Sequence, residues 1–339
     1  MTKTKKFVGI GILGAGYIAD LMANTIYHMQ QQAPYAEIVK LVAIGSRNFS
    51  SAEALQKKYQ MPKAYGSYAE LLNDQEVDLI YIATPHSHHL EHGLACLKAG
   101  KHILVEKSFT VNTAQAKELL AEAKRRSLLC TEAIWTRYMP SRQIINEIII
   151  SGKIGEVKSI YANLCYPVAD KERMYKPELA GGALLDLGVY PLNFIDMITS
   201  ALKVELQDIK TSISWHETPV DAQNNTTLYY SKGIVAEAMS SMLTPSDRLG
   251  TVFGTKGYLV CTNINNVETL HIYNADHQLV EEVPIPKQIT GYEYEVYEAC
   301  QCILRGELEC PSMPHTDTIR IMELMDQIRD NWGLKYPIE

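Results

Sequence analysis

The chain has 339 residues, of which 46% are hydrophobic, and a formal net charge of −7 from 32 basic and 39 acidic side chains. This length exceeds the size at which one hydrophobic core usually keeps growing, so we expect two domains. The mild acidic excess provides no basic surface for nucleic acid or anionic lipid. We therefore expect neither nucleic acid nor a membrane as a partner.

The amino-terminal segment places basic side chains before an apolar run, which is also the start of a secretion signal. Four glycines interrupt that run and no small-residue cleavage pattern follows, so we interpret it as a first β-strand. No uninterrupted apolar stretch reaches the roughly 18 residues of a membrane-spanning helix. The seven cysteines are scattered and form no CxxC pair, which favours reduced thiols in a soluble cytoplasmic protein over disulfides or a zinc site.

Residues 7–134 alternate apolar strand-like runs with segments of helical periodicity. The predicted strands cover 7–13, 37–45, 77–85, 102–108 and 128–134, and helical segments at 25–30, 50–59, 88–100 and 112–126 separate them. Strands with little polar alternation, separated by helices, are typical of a parallel sheet covered on both faces. We predict a doubly wound α/β domain over residues 1–134.

Residues 135–339 have a different pattern. A helix at 141–151, a strand at 156–164 and a helix at 182–200 are followed by successive strand-like runs from 204 to 284, and two helices at 292–305 and 315–331 close the chain. Turn signals between the runs indicate an antiparallel meander. We predict that residues 135–339 form an α+β domain with a large antiparallel sheet.

The string GILGAGYIA at residues 11–19 indicates a dinucleotide site. Two glycine windows overlap here, and only the one formed by Gly14, Gly16 and Ala19 has a full strand before it and a helix after it. Gly14 would permit the tight turn, Gly16 would let a pyrophosphate approach bare backbone, and Ala19 would let the helix pack closely on the strand. The alternative is a glycine-rich turn without a ligand.

The second strand ends in AIGSRN, without the acidic residue that usually binds an adenosine ribose hydroxyl. Ser46 and Arg47 stand there instead, and a guanidinium can pair with a 2′-phosphate. We predict NADP as the cofactor, with NAD as the alternative and a solvated Arg47 as the structural interpretation.

Three side chains are candidates for the chemistry. Lys107 follows the fourth predicted strand at its carboxyl end, where open parallel sheets place ligands. Asp186 and Tyr190 lie four residues apart in GGALLDLGVY, so they project from one helix face. With a lysine to favour its phenolate, Tyr190 is a candidate general acid or base, whereas the pair alone could be a structural hydrogen bond.

Four histidines, at positions 86, 88, 89 and 92, crowd one predicted loop and helix start. His88 and His92 have the spacing of a metal-binding pair, but no further ligand with matching spacing is evident, so we predict no metal site. We expect His86 to border the nicotinamide ribose.

Taken in order, the motifs GILGAGYIA, ATPHSHH, AGKHILVEKS, EAIWTRYMP, GGALLDLGVYP and GTKGYL resemble the Gfo/Idh/MocA oxidoreductase family. The resemblance covers nearly the whole chain, and it is strongest to the branch of dimeric dihydrodiol dehydrogenases and NADP-dependent D-xylose dehydrogenases. It implies a Rossmann domain, an antiparallel-sheet domain through which homodimers or higher homo-oligomers form, and NAD(P)-dependent oxidation of a secondary alcohol.

The resemblance also assigns roles to positions of this chain. It makes Lys107, Asp186 and Tyr190 catalytic, and it adds Trp135 and Arg137 to the substrate site formed with Asp186 and Tyr190. Ser108 replaces the family's usual proline after the lysine, which puts the cis peptide bond of the family in doubt here. The predicted cofactor contacts are Gly14, Gly16, Tyr17, Ile18, Ser46, Arg47, Thr84, Pro85, His86, His89, Glu106 and Lys107.

The predicted function is therefore NADP-dependent transfer of a hydride between the nicotinamide and a secondary alcohol or carbonyl of a sugar or vicinal diol. Tyr190, assisted by Lys107, would remove the hydroxyl proton, and Asp186 would orient the adjacent hydroxyl. Two alternatives are a keto-sugar reductase that uses the same residues in the opposite direction and a non-catalytic NAD(P)-sensing regulator.

Overall fold

The computed structural model describes residues 6–339 and divides them into two compact units. The first unit comprises residues 6–138 and 288–319, and the second comprises 139–287 and 320–339. The predicted division assigned all of 135–339 to one domain, whereas the structure gives residues 288–319 to the first unit. The physical reason is that helix α9 (Glu293–Arg305) packs on β1 (Val8–Leu13), β5 (His102–Glu106) and α1 (Tyr17–Met29).

The first unit is built on a six-stranded parallel sheet of order β3-β2-β1-β4-β5-β6. Besides β1 and β5, its strands are β2 (Val39–Gly45), β3 (Lys63–Tyr65), β4 (Leu79–Ile82) and β6 (Cys130–Ala133). The order reverses between β1 and β4, and an open α/β sheet binds ligands outside the carboxyl ends of the strands at such a switch point.

Helices cover this sheet, and side-chain caps begin several of them. Besides α1 and α9 they are α2 (Phe49–Lys58), α3 (Tyr68–Asn73), α4 (His89–Lys98) and α5 (Thr113–Arg126). Asn48, Ser67 and Asn112 each accept a backbone N–H at the start of α2, α3 and α5, respectively. These caps explain why the helices begin where the sequence switches from strand to helical periodicity.

The second unit is built on an eight-stranded sheet of order β14-β13-β12-β11-β7-β10-β9-β8. Strand β7 is inserted between β10, to which it is parallel, and β11, to which it is antiparallel. The predicted meander is therefore interrupted by an earlier strand. The strands are β7 (Val157–Cys165), β8 (Leu206–Trp215), β9 (Asp221–Tyr230), β10 (Ile234–Ser241), β11 (Gly250–Gly254), β12 (Gly257–Thr262), β13 (Thr269–Asn274) and β14 (Leu279–Val283).

Alternate residues of β10 and β12 are buried, and helix α8 (Val189–Ala201) packs against β7 and β10. The other helices of the chain are α6 (Pro140–Ile150), α7 (Glu172–Tyr175) and α10 (His315–Trp332). A π-helix, Leu184–Gly188, leads directly into α8. The predicted helix at 182–200 is thus a π-helical turn followed by an α-helix.

The predicted fold class is confirmed: a parallel Rossmann-type sheet is accompanied by a larger, mostly antiparallel one. Among the α-helices and strands of residues 6–339, the short elements β3, α3 and α7 were absent from the prediction, because each offers too few residues for a periodic signal. Within residues 6–339, none of the helices combines the length and apolarity that crossing a bilayer requires.

Candidate active site

The turn after β1 has the geometry that a pyrophosphate needs. Gly14 has φ +113°, and a Cβ there would lie 2.7 Å from the carbonyl oxygen of Ala83. A Cβ on Gly16, the N-cap of α1, would meet no atom within 4 Å, so open space lies beside bare backbone. Ala19 is fully buried. The residues fit a dinucleotide, whose phosphates would face the first N–H groups of α1.

Two predicted contacts beside this turn differ in exposure. The Tyr17 side chain is 81% exposed, and Ile18 is half-buried. An exposed phenol on the first turn of α1 has little packing role. Contact of either side chain with a cofactor stays a prediction.

The end of β2 presents a cation beside a fixed hydroxyl. Ser46 is buried, and its Oγ accepts the Asn48 N–H at 3.1 Å, which shapes the turn. Arg47 is exposed at the carboxyl end of the sheet. The buried serine sets the backbone, and Arg47 has the freedom to reach an anion.

The loop after β4 carries three of the predicted cofactor contacts. Thr84 is half-buried, Pro85 is exposed, and His86 is buried in a short 3₁₀ turn, His86–His88. The Thr84 hydroxyl is hydrogen-bonded to Nδ1 of His92 at 3.0 Å. This loop lies at the switch point of the sheet, beside the glycine turn.

His89, also predicted to contact the cofactor, is fully buried and lies between two loops, and its contact with a cofactor stays a prediction. Its Nε2 lies 2.8 Å from the Thr84 carbonyl oxygen, and its Nδ1 lies 2.9 and 3.1 Å from the carbonyl oxygens of Ser108 and Phe109. Burial lowers its pKa to about 4, against smaller opposing effects from those hydrogen bonds. The structure therefore gives His89 a positioning role between the loops that follow β4 and β5.

Lys107 follows β5 and belongs to one of these loops. The peptide bond between Lys107 and Ser108 is cis, although the second residue is not proline. Buried Glu106 accepts the Lys107 N–H at 3.2 Å and is hydrogen-bonded to the Tyr81 hydroxyl. The Glu106 carboxylate thus contacts the backbone at Lys107, and His89 contacts the carbonyl groups of the next two residues.

The segment after β6 is more structural than the prediction for Trp135 and Arg137 implied. Trp135 stacks on Tyr292 with ring centroids 4.1 Å apart and planes 7° apart. The buried Arg137 guanidinium donates to Asp317 at 2.8 Å. Both residues tie this turn to the chain after residue 288. Their contact with a substrate stays a prediction.

In the second unit, Asp186 and Tyr190 are both buried, at 5% and 8% exposure. Asp186 lies in the π-helix and Tyr190 in the first turn of α8. Arg173, at the start of α7, donates to Asp186 at 2.6 Å. π-Helical turns occur frequently at functional sites. The predicted pair therefore lies on one continuous helical segment, with a cation already paired to the acid.

Asp221, which the sequence analysis did not single out, holds the start of this segment. Its Oδ2 accepts the Leu184 N–H at 2.7 Å and the Asn224 side-chain amide at 2.8 Å, while Oδ1 has no hydrogen-bond partner. Burial raises its pKa to about 7, although those hydrogen bonds lower it. Gly182, with φ +121°, has no room for a Cβ, which would lie within 2.1 Å of Asp221 Oδ1.

The histidine cluster matches no metal site. His88 and His92 have ring centroids 5.4 Å apart, and Tyr68 packs edge-on against His92. Across residues 6–339, no three His, Cys, Asp or Glu side chains are grouped so that they could hold a metal ion. The hydrogen bond between His92 and the Thr84 hydroxyl joins α4 to the loop after β4.

Comparison with known proteins settles the family. The model of an oxidoreductase family with an NAD-binding Rossmann fold matches residues 8–134, and the model of the GFO/IDH/MocA C-terminal domain matches residues 143–260. The chain belongs to the Gfo/Idh/MocA oxidoreductase family. This membership confirms the predicted enzyme class and the nicotinamide-dinucleotide cofactor of the first unit.

Relatives within the Gfo/Idh/MocA family match almost end to end. Human trans-1,2-dihydrobenzene-1,2-diol dehydrogenase is 30% identical over 335 residues, which is 97% of this chain and 97% of that protein. The Bos taurus protein of the same name is 32% identical over 333 residues, covering 96% of this chain and 97% of that protein.

Solved structures of Gfo/Idh/MocA proteins share the fold. KijD10, a 3-ketoreductase from Actinomadura kijaniata in complex with NADP and TDP-benzene, has a TM-score of 0.83 at 24% identity and covers 96% of this chain and 97% of its own. The aldose-aldose oxidoreductase from Caulobacter crescentus has a TM-score of 0.83 at 20% identity, with 97% and 98% covered.

The helical segment that carries Asp186 and Tyr190 should depend on Asp221. Asp221→Ala leaves the buried Leu184 N–H and the Asn224 amide without an acceptor, which should lower the free energy of unfolding by about 2 to 4 kcal/mol. Because folding raises the pKa of Asp221 to about 7, the stability linked to its proton is lost as the pH rises from its usual pKa toward that value. Urea unfolding is therefore measured at pH 5, where more of this stability remains than at neutral pH.

The matched control is Asp208→Ala, since Asp208 is an exposed acid on β8 of the same sheet. We expect that variant to unfold like the wild type. Equal stabilities of the Asp221 and Asp208 variants would contradict the role given to Asp221.

Proposed function

We propose that this protein is an NADP-dependent oxidoreductase that transfers a hydride between the nicotinamide and a secondary alcohol or carbonyl of a sugar or vicinal diol. The observation that carries the proposal is the end-to-end match to dihydrodiol dehydrogenases, with Lys107, Asp186 and Tyr190 all present at the positions predicted for the chemistry. A purely nucleotide-sensing protein would need none of these three side chains.

The bound cofactor supplies the hydride chemistry, and the chain supplies orientation and proton transfer. Tyr190 takes the proton from the substrate hydroxyl during oxidation and returns it during reduction. The Lys107 ammonium stabilises the negative charge that develops on oxygen. Asp186, paired with Arg173, accepts a hydrogen bond from the neighbouring hydroxyl of a diol. These roles serve both directions of the reaction.

NADP is proposed over NAD because of the end of β2. A carboxylate that would bind a ribose hydroxyl is replaced there by Ser46 and the exposed guanidinium of Arg47. Arginine pairs with phosphate through two parallel hydrogen bonds, and the buried Ser46 fixes the backbone from which Arg47 projects.

A homodimer through the outer face of the large sheet is part of the proposal. The face opposite α8 carries a row of aromatic side chains in which Tyr258 stacks on Tyr273, with centroids 4.9 Å apart, and lies 5.9 Å from Phe253. Phe253 is 41% exposed and Tyr229, on the same sheet, is 38% exposed. A second copy of the chain would bury this row about a two-fold axis.

We also propose that the protein resides in a reducing compartment, because its cysteines are free thiols. All seven cysteines lie within the described residues, and each is buried and outside any disulfide. Buried thiols that persist in the reduced state fit the cytoplasm.

The enzymatic proposal predicts that Tyr190→Phe and Lys107→Met each lower kcat/KM by about 100-fold or more, since proton transfer typically contributes that much. The measurement is absorbance at 340 nm with NADP and a panel of D-xylose, D-glucose and a cyclic trans-diol. The reverse assay uses NADPH and the corresponding ketones.

The matched controls are Tyr27→Phe on α1 and Lys124→Met at an exposed position of α5, and both should keep wild-type turnover. Wild-type rates in the Tyr190 and Lys107 variants would refute the assigned roles. A wild type without turnover across the panel, in either direction, would favour the nucleotide-sensing alternative.

The cofactor proposal predicts that Arg47→Ala weakens NADP binding by about 10-fold or more and leaves NAD binding nearly unchanged, because a charge-assisted hydrogen bond contributes about 1.5 to 3 kcal/mol. Fluorescence titration of the reduced cofactors measures both dissociation constants. Arg125→Ala, on the exposed face of α5, controls for loss of one positive charge. An equal effect on the binding of both cofactors would contradict the proposed contact between Arg47 and the 2′-phosphate.

The dimer proposal predicts that Tyr258→Asp converts a dimer into a folded monomer, because an unpaired carboxylate would be buried in the interface. Light scattering coupled to size exclusion gives the mass. Ile150→Asp, at a 66% exposed position on α6, should leave the wild-type mass unchanged. A wild-type protein that is monomeric would contradict the dimer proposal.

A further inference from the structure

Three carboxylates with little or no solvent contact lie in the first unit, next to the turn that carries Lys107. Glu106 ends β5, Glu132 lies on β6 and Glu295 lies on α9, with exposures of 6%, 1% and 0%. We call these residues the carboxylate cluster. An ionised carboxylate without compensating partners is costly to bury, so the cluster must hold at least one proton.

The hydrogen bonds distinguish the three members. Glu106 is bonded to Tyr81 and to the Lys107 N–H. Glu132 Oε1 accepts the Phe109 N–H at 3.1 Å, whereas its buried Oε2 has no hydrogen-bond partner. Neither carboxyl oxygen of Glu295 has one. Glu295 therefore has the least support for a negative charge, and Glu132 has partial support.

The surrounding charges give the same order. Burial raises the pKa of Glu132 to about 7; Arg137 and the Phe109 N–H oppose this, Glu106 adds to it, and Lys107 lowers it. Burial raises the pKa of Glu295 well above its usual range, and Glu106, Glu132 and Glu293 add to that increase. Burial raises the pKa of Tyr81 and of Tyr138, and negative charge on Glu295 adds to both increases.

The Phe109 N–H connects the carboxylate cluster to the turn that carries Lys107. It belongs to the same turn as Lys107 and lies beside the carbonyl groups that face His89. A hydrogen bond to an ionised carboxylate is roughly twice as strong as one to a neutral acceptor. Loss of the charge on Glu132 would therefore weaken the hold on this turn and also remove an attraction for the Lys107 ammonium.

We propose that Glu132 is a positioning residue whose carboxylate holds the Lys107–Phe109 turn through the Phe109 N–H, while Glu295 stays a neutral carboxylic acid beside it. Protonation of Glu132 loosens the turn and lowers turnover on the acid side of neutrality. The activity part rests on the proposed oxidoreductase function, whereas the charge state of Glu295 does not.

The test of Glu295 uses stability. A group whose pKa is raised on folding contributes stability that is lost as the pH rises from its unfolded pKa toward its folded pKa. Glu295→Gln cannot ionise, so its melting temperature should exceed that of the wild type by a margin that grows by about 2 to 4 °C per pH unit between pH 5 and 8.

Infrared difference spectra provide a second readout for Glu295. The wild type at pH 7 should show the stretch of a protonated carboxyl group that Glu295→Gln lacks. Glu118→Gln, an exposed position on α5, should show neither effect. Melting curves for Glu295→Gln and the wild type that run parallel across this pH range, or an unchanged infrared band, would overturn the neutral assignment.

The test of Glu132 uses the pH profile of kcat/KM. Glu132→Gln should lower kcat/KM at pH 8 by about 10-fold and should abolish the acid limb near pH 7, while Glu132→Asp should keep a shifted limb. NADPH affinity should stay within about twofold, which shows that the fold is intact. A wild-type profile in Glu132→Gln would overturn the positioning role.

If the wild type turns over nothing in the substrate panel, the proposed function fails while the cluster is still decided. In that case the melting temperature of Glu132→Gln against pH takes the place of the rate. Its difference from the wild type should change between pH 6 and 8, and a constant difference would overturn the proposal for Glu132.

Discussion

One buried imidazole joins the carboxyl ends of β4 and β5, and the geometry of the first unit's site depends on it. His89 faces the Thr84 carbonyl on one side and the carbonyls of Ser108 and Phe109 on the other, so a proton on either ring nitrogen has an acceptor. Its low pKa favours the uncharged ring, which carries one N–H and therefore donates to one of the two loops at a time. His89 thus packs between the loop that follows β4 and the loop that carries Lys107, and its N–H is hydrogen-bonded to one of them.

In the second unit, a buried carboxyl group fixes the backbone that carries the candidate catalytic residues. Asp221, at the first position of β9, accepts the N–H of Leu184 and so holds the beginning of the π-helix that carries Asp186. The glycine at 182 leaves the space that Asp221 fills. In both units, then, the side chains proposed for catalysis stand on backbone that is held by buried polar groups with no direct part in the reaction.

The sequence was sufficient for the fold. The apolar strands and the glycine turn each carry a local signal and lie where the pattern predicted. Asp186 and Tyr190 lie on one helical segment, and their catalytic roles stay predictions. Glu132 and Asp221 carry no such signal, because their importance comes from burial and from contacts with residues distant in the chain. A charged residue inside the apolar run LLCTEAI was the one available hint for Glu132. The helix at 293–305 was predicted, but its membership of the first unit depends on long-range packing that no periodicity encodes.

Strand β7 has a consequence for how the chain is made. Its neighbours in the sheet, β10 and β11, begin at Ile234 and Gly250, so the ribosome must add about seventy further residues after β7 before either neighbour exists. During that interval the apolar strand β7 has neither of its sheet neighbours, so its pairing is delayed by the order of the strands in the chain. Likewise, the packing of α9 on β1 and β5 waits until about two hundred residues have been added after β5.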